Sequence, residues 1–144
     1  MMDKEQDMMR AKIYLGMPPR TRNKMKRNKL SASDVIDIIL ADISKSHRVT
    51  VEGVKGKARP REIASARQQF CWLIRKAYGT QISLKRIGSF IGNRDHSTVL
   101  HSIKIVGDLM DTDKLYKQTF FKLLTNLKEN YYLRDALKDI TIEL

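Results

Sequence analysis

The sequence has only one cysteine, three prolines and one tryptophan among its 144 residues. The single cysteine, Cys71, excludes an internal disulfide and fits a protein that works in a reducing compartment. No run approaches the roughly 18 apolar residues that a membrane span needs. The acidic, methionine-rich start does not resemble a signal peptide. We therefore expect a cytoplasmic protein without a membrane partner.

Acidic side chains are scarce in one part of the chain. Residues 1–44 carry nine basic and six acidic side chains, residues 45–86 carry eleven and two, and residues 87–144 carry eight of each. The net charge of +12 is therefore concentrated in the middle segment. Clustered lysine and arginine indicate a polyanionic partner, most simply nucleic acid, because neutralised phosphates release condensed counterions. A basic surface that serves only solubility is the alternative.

Long runs of alternating polar and apolar residues are also lacking, and the apolar residues recur at helical spacing instead. Helices are predicted over residues 31–47, 62–78, 83–91, 95–110 and 113–128. Ser31 and Asp34 form a capping-box pattern at the start of the first of these. The glycine-containing stretch 48–61 is predicted to be a loop with at most one helical turn, at 50–55. These patterns predict an all-α fold, a compact helical domain.

The two ends of the chain differ from this domain. A short helix is predicted over 1–17, and residues 18–29 combine two prolines with six positive charges and no acid, as in a linker or a DNA-contacting arm. We therefore divide the chain into a basic arm (1–30), a domain (31–128) and an amphipathic C-terminal extension (129–144). The extension has more apolar side chains than a free tail exposes, at helical spacing. It either folds back on the domain or joins a partner, which could be a second copy of the chain.

Two short helices separated by a glycine turn, at 83–91 and 95–110, are the arrangement of a helix-turn-helix. In that motif the second helix enters the major groove of DNA, and its N-terminal residues touch base edges. Asp95, His96, Ser97 and Thr98 occupy those positions and have short hydrogen-bonding side chains. The sequence therefore predicts a DNA-reading helix-turn-helix.

A longer stretch of the chain contains a specific signature, from VTVEGVKGKARPREIASARQQFCWLIRKAYG to ISLKRIGSFIGNRDHSTVLHSI. The signature is an Ala-Arg-Gln at the start of one helix, a Ser-Leu-x-x-Ile-Gly helix, and Gly-x-Arg-Asp-His-[Ser/Thr]-Thr-Val-x-His. With it, roughly residues 31–127 resemble the C-terminal DNA-binding domain of the bacterial replication initiator DnaA. The family binds double-stranded DNA at short boxes, so the resemblance implies sequence-specific binding to duplex DNA.

The resemblance also implies roles for individual residues. Base contacts are implied for Arg59 in the minor groove, for Leu84 and Lys85 near a thymine, and for Asp95, His96 and Ser97 in the major groove. Contacts at or near the phosphate backbone are implied for Arg67, Gln68, Arg75, Arg94, Thr98, Leu100 and His101. The chain departs from the family pattern at Lys85, Ser97 and Asn93, where proline, threonine and glycine are usual. Asparagine tolerates a positive φ, so the turn at Asn93 is expected to survive.

Several chemistries are disfavoured by what is missing. The sequence contains no GxxxxGK[ST], and the segment before the resemblance is too short for the initiator's ATPase module, so we expect a free-standing DNA-binding domain that uses no nucleotide or other cofactor. A metal site or a catalytic pair built from Asp95, His96 and His101 is disfavoured because these residues lie on different helix faces. Cys71 and Trp72 are interpreted as packing residues. We expect no enzymatic activity.

Two classes of DNA-binding function remain open on the sequence. The first is a bacterial or phage-encoded protein that binds specific origin or regulatory sites. The alternative is a phage or nucleoid structural protein, for instance in DNA packaging, which binds DNA in bulk and oligomerises through its termini. An RNA-binding protein is the weaker third reading, because no recognised RNA-binding module is present.

Overall fold

The protein consists of helices joined by short turns in the computed structural model, which describes residues 30–57 and 59–144. Within these ranges there are seven α-helices, one 3-10 turn and no β-strand. The helices are α1 Ala32–Ser46, α2 Val51–Lys55, α3 Arg61–Tyr78, α4 Leu84–Ser89, α5 His96–Thr112, α6 Lys114–Lys128 and α7 Arg134–Leu137, and the 3-10 turn is Gly79–Gln81. The prediction of an all-α fold is confirmed. The helix predicted over 1–17 and the basic segment 18–29 lie outside the described residues.

Helix α1 begins with the capping box that the sequence predicts. The Asp34 N–H donates to the Ser31 hydroxyl at 3.3 Å, and the Ser31 N–H donates to the Asp34 carboxylate at 3.0 Å. Two N–H groups are thereby paired at the helix terminus, where no intrahelical partner exists. Val35 is only half-buried, whereas Ile38 is fully buried. The buried surface of α1 is wider than a single stripe because the helix packs against both α3 and α6.

Helix α3 is the centre of the fold, because α1, α2, α4, α5 and α7 all contact it. Its predicted apolar face is buried at Ala66, Phe70, Leu73 and Ile74. The helix ends at Gly79, whose φ of 57° is a conformation that other residues adopt only at a cost. The periodic pattern in the sequence therefore identifies the element on which the others assemble.

Cys71 and Trp72 pack inside the protein, as interpreted from the sequence. Cys71 is fully buried, and burial raises the pKa of its thiol to about 12, so the thiolate that would react is suppressed. The ring of Trp72 meets the ring of Phe120 edge to face, with 5.2 Å between their centroids. This contact joins α3 to α6.

One buried polar side chain was not predicted. Gln69 on α3 is only 3% exposed, and its side-chain oxygen lies 2.8 Å from Nε2 of His47. Its amide group donates to the Tyr116 hydroxyl at 3.2 Å. Gln69 therefore connects the end of α1 to the start of α6 while satisfying its own hydrogen-bonding groups.

The C-terminal segment 129–144 folds back on the domain. Four of its apolar side chains are buried, at Leu133, Leu137, Ile140 and Ile142. The buried Asn130 amide donates to Asp42 of α1 at 2.9 Å, and the Lys128 ammonium donates to the carbonyl oxygen of Ile140. The helix in this segment is short, Arg134–Leu137, with turns on both sides. Turns on either side let the apolar side chains reach the core from several directions.

Helices α4 and α5 form the predicted helix-turn-helix on one side of α3. The two helices contact each other, and both contact α3. Ile87 and Ile91 anchor the first helix and its turn in the core, and Val99 and Val106 anchor the second. The core therefore fixes which face of α5 points away from the protein.

Candidate nucleic-acid interface

The turn between α4 and α5 depends on two residues with positive φ. Gly92 has a φ of 85° and Asn93 a φ of 58°. The expectation that asparagine replaces glycine here without loss of the turn is therefore confirmed. Asparagine is among the few residues with a side chain that adopt this region readily.

Two glycines allow the turn to pack closely. A Cβ on Gly88 would lie 1.9 Å from the carbonyl oxygen of Arg94, and a Cβ on Gly92 would lie 1.9 Å from the carbonyl oxygen of Lys55. Both contacts are with backbone, which cannot move aside as a flexible side chain can. The first contact holds α4 against the start of α5. The second brings the C-terminal end of α2 against the turn.

Asp95 is the N-cap of α5. Its carboxylate accepts a hydrogen bond from the Thr98 N–H at 2.8 Å, and this bond is the main reason that the pKa of Asp95 lies below its ordinary value. The side chain remains fully exposed. The sequence assigned Asp95 to base contacts and did not identify its capping role, although an aspartate three residues before Thr98 at a helix start is typical of a cap.

The first turns of α5 present an exposed polar row. His96, Ser97, Thr98 and His101 are all exposed, and Leu100 beside them is 54% exposed. Val99 and Ser102 point the other way and are buried. The structure therefore brings together the residues of α5 that the sequence assigned to DNA, on one outward surface. Their contacts with DNA stay a prediction.

Lys104 extends this surface and was not among the predicted site residues. It is exposed on α5, three residues after His101 and seven after Ser97, which places it on the same helix face. Helical spacing from the predicted residues was the signal that could have found it. Its ammonium group adds a positive charge one turn beyond His101.

All three arginines assigned to phosphate donate to the protein's own backbone, and two of them, Arg67 and Arg94, share one acceptor. Arg67 on α3 donates from Nε to the Val54 carbonyl at 3.1 Å and from one terminal nitrogen to the Gly56 carbonyl at 3.2 Å. Arg94 donates from its two terminal nitrogens to the Ile91 and Gly56 carbonyls, at 2.7 Å each. Both guanidinium groups therefore meet at the carbonyl oxygen of Gly56. Partial burial, followed by the nearby charge of Arg94, lowers the pKa of Arg67.

The remaining predicted residues differ in exposure and in their contacts with the fold. Arg75 donates to the Gly79 carbonyl at 3.1 Å and so supports the end of α3. Gln68 is half-buried on α3, and Leu84 at the start of α4 is half-buried against the core. Lys85 is exposed on α4, and Arg59 is exposed just before Pro60, the N-cap of α3. The exposed pair can reach a ligand directly, whereas Leu84 and Arg75 also serve the fold.

Other kinds of site find little support in the described part of the chain. No three histidine, cysteine, aspartate or glutamate side chains lie close enough to hold a metal ion among residues 30–57 and 59–144. None of the described helices is long and apolar enough to cross a membrane.

Comparison with known proteins agrees with the geometry. The family described as "Bacterial dnaA protein helix-turn-helix" matches residues 36–106, from α1 into α5. The chain is 38% identical over 96 residues to the chromosomal replication initiator protein DnaA of Oenococcus oeni, which is 64% of this chain and 21% of that protein. It is 40% identical over 88 residues to the protein of the same name from Neisseria meningitidis, or 61% of this chain and 17% of that protein.

The chain thus spans about a fifth of the length of these relatives. The matched residues include α4, the turn and the exposed start of α5. Residues 36–106 are therefore similar to the helix-turn-helix domain of the bacterial DnaA protein family, and the resemblance that the sequence predicted is confirmed.

Proposed function

We propose that this chain binds double-stranded DNA at a defined sequence, with the start of α5 in the major groove and Arg59 in the adjacent minor groove. The observation that carries the proposal is the exposed row of His96, Ser97, Thr98 and His101 on a helix whose opposite face is buried. The helix belongs to a helix-turn-helix of the DnaA family, in which the second helix is the natural reader.

The base-reading chemistry lies at the N-terminal end of α5. His96 and Ser97 offer short hydrogen-bonding groups at the positions that reach base edges. The Asp95 carboxylate uses one oxygen for the Thr98 N–H, and its second oxygen can accept a hydrogen bond from a cytosine amino group. The capping hydrogen bond therefore orients the Asp95 side chain for the base contact that we propose.

Positive and polar groups around α5 supply contacts with the phosphate backbone. Thr98, His101 and Lys104 follow the readers along the exposed face of α5. Arg67 and Arg94 place two positive charges close together near the turn, where a phosphate would relieve their mutual repulsion. Such contacts fix the register of the protein on the duplex, and the readers then determine which sequence is bound.

We also propose that DNA binding by this chain needs no nucleotide. The sequence has no GxxxxGK[ST] motif for holding the phosphates of ATP. The two relatives are named as chromosomal replication initiators. We propose that this chain binds origin or regulatory sites in DNA, and that its effect depends on which site it occupies.

Selection of binding sites from random duplexes, repeated at several salt concentrations, tests the proposal. We expect one short sequence to be enriched, and its affinity to fall by about 10³–10⁵ between 50 and 200 mM salt if six to ten phosphates are contacted. Addition of ATP should change neither result. Equal binding of random and selected duplexes at physiological salt would contradict sequence-specific reading and favour bulk DNA binding by a structural protein.

A further inference from the structure

Arg94 connects two parts of the candidate interface that are distant in sequence. It follows the turn of the helix-turn-helix, and its terminal nitrogens donate to the carbonyl oxygens of Ile91, in that turn, and Gly56, in the α2–α3 loop. Each of these bonds is 2.7 Å long. A planar guanidinium with several fixed donors can bridge two carbonyls in this way, whereas a lysine ammonium acts as a single point charge.

Other contacts hold the segment Val54–Gly56, which consists of the last two residues of α2 and the glycine that caps it. Arg67 donates to the carbonyl oxygens of Val54 and Gly56 from the side of α3. The Lys55 carbonyl lies so close to Gly92 that a Cβ there would be 1.9 Å from it. The segment is therefore fixed against both α3 and the helix-turn-helix turn.

Arg59 stands close to this fixed segment. It is three positions after Gly56, so its Cα lies within about 11 Å of the Gly56 Cα even if the chain is fully extended. On its other side Pro60 is the N-cap of α3. The backbone on both sides of Arg59 is thus anchored, at Gly56 by Arg67 and Arg94 and at Pro60 by α3.

We propose that Arg94 is a positioning residue, which sets where Arg59 stands relative to α5 by fixing the Val54–Gly56 segment to the helix-turn-helix turn. The inference rests on the proposed function, in which Arg59 enters the minor groove while α5 reads the major groove. It assigns to Arg94 a role in addition to the phosphate contact that the family resemblance implies. Reading of the two grooves is then coupled through one side chain.

The variant Arg94→Lys distinguishes the positioning of Arg59 from a contact with phosphate. A phosphate contact needs mainly a positive charge, so lysine should retain most of the DNA affinity if Arg94 only binds phosphate. Positioning needs both donor directions, so lysine should fail nearly as alanine does. Arg86→Ala is the matched control, because Arg86 also joins two elements, donating to Ser33 at 2.9 Å, but does not contact the loop.

The first measurement is hydrogen exchange of the loop without DNA. In folded Arg94→Lys, we expect faster exchange in peptides covering residues 51–60 than in the wild-type protein, with exchange in the middle of α3 unchanged. Arg86→Ala should leave the loop peptides at the wild-type rate. Equal exchange in Arg94→Lys and wild type would overturn the inference without touching the proposed function. If Arg94→Lys does not fold, Arg94→Gln, which keeps amide donors on a shorter side chain, takes its place.

The second measurement is the preference for a narrow minor groove, compared between two duplexes that share the selected site and differ only in an A-tract or a G·C-rich flank. Arg59→Ala should reduce this preference about fivefold or more. Arg94→Lys should reduce the preference similarly. In the double variant, the combined reduction should be at least about twofold smaller than the product of the two single reductions. Arg86→Ala should keep the wild-type preference.

The outcomes distinguish the two proposals. If Arg59→Ala lowers the flank preference while Arg94→Lys leaves it intact, or if the two losses simply multiply, the positioning role of Arg94 is refuted and the proposed function stands. If Arg59→Ala itself has no effect on the preference, the minor-groove part of the proposed function fails, and the role of Arg94 fails with it.

Discussion

The helix-turn-helix (84–112) and the C-terminal segment (129–144) both pack on α3. Both have mixed polar and apolar sequences, but they differ in which side chains they leave exposed. In the helix-turn-helix, only part of each helix is buried, and α5 leaves an exposed polar row at its start. In the C-terminal segment, Leu133, Leu137, Ile140 and Ile142 are all buried, and the helix is one short turn. The first region therefore provides a surface for a ligand, and the second provides core.

The difference lies in how the backbone is held. Close backbone contacts at Gly88 and Gly92 and the bonds of Arg94 fix the start of α5 without covering its outer face. The C-terminal segment is held by its apolar side chains and by the pair of Asn130 and Asp42. Substitutions in the two regions should consequently affect different measurements.

The largest effect on stability is expected in the C-terminal segment. Leu137 is fully buried, so Leu137→Ala should lower the free energy of unfolding by about 2–5 kcal/mol, through lost burial and the cavity left behind. Chemical denaturation measures this. Leu115, which is 72% exposed on α6, gives the matched control, and Leu115→Ala should change stability by less than about 0.5 kcal/mol. Similar effects of the two variants would show that the C-terminal segment is not part of the core.

A smaller loss of stability is expected at the turn of the helix-turn-helix. Gly88→Ala places a Cβ 1.9 Å from the Arg94 carbonyl oxygen and should destabilise the protein by about 1–3 kcal/mol. Gly107→Ala in α5 is the control, because nothing lies within 4 Å of the added Cβ. This variant should raise the free energy of unfolding by roughly 0.5–1 kcal/mol. Thermal unfolding of both variants distinguishes the sites. A stable Gly88→Ala protein would mean that α4 and α5 are not packed this closely.

The smallest effect on stability is expected at Asp95. Asp95→Ala removes the cap of α5 and should lower the Tm slightly, whereas Asp95→Asn keeps a capping oxygen without the charge and should lower the Tm less. Because the pKa of Asp95 is depressed in the folded protein, its contribution is present above the ordinary value of 3.8 and is lost as the pH falls through the lower folded value. The Tm difference between wild type and Asp95→Ala should therefore shrink in acid. A difference that grows in acid would contradict the capping role.

The sequence predicted the elements that follow from local patterns. Residue types with strong local preferences indicate several of these features. They mark the helix starts at Ser31, Ser83 and Asp95, the end of α3 at Gly79 and the turn at Asn93. The exposed row of α5 followed from the same reasoning, because a helix buried on one face must present the other.

The sequence did not predict features that depend on distant partners. Gln69 meets His47 and Tyr116 only after three helices have come together. The convergence of Arg67 and Arg94 on Gly56 also depends on tertiary packing, so a pattern of basic residues does not distinguish backbone-bound arginines from exposed ones. The apolar spacing in 129–144 did not predict the bounds of α7, because it indicates which side chains are buried and not whether the backbone between them is helical.

The central claim is that the start of α5 reads bases, and His96→Ala tests it most directly when its selected binding site is compared with that of the wild type. His96 is exposed, so the variant should fold normally. It should lose selectivity at one or two base positions, by about 1–3 kcal/mol against the preferred base. His101→Ala, on the same helix, should instead weaken binding to all duplexes alike, as loss of a phosphate contact does. If His96→Ala binds tightly and selects an unchanged site, α5 does not read DNA through this residue and the account is contradicted.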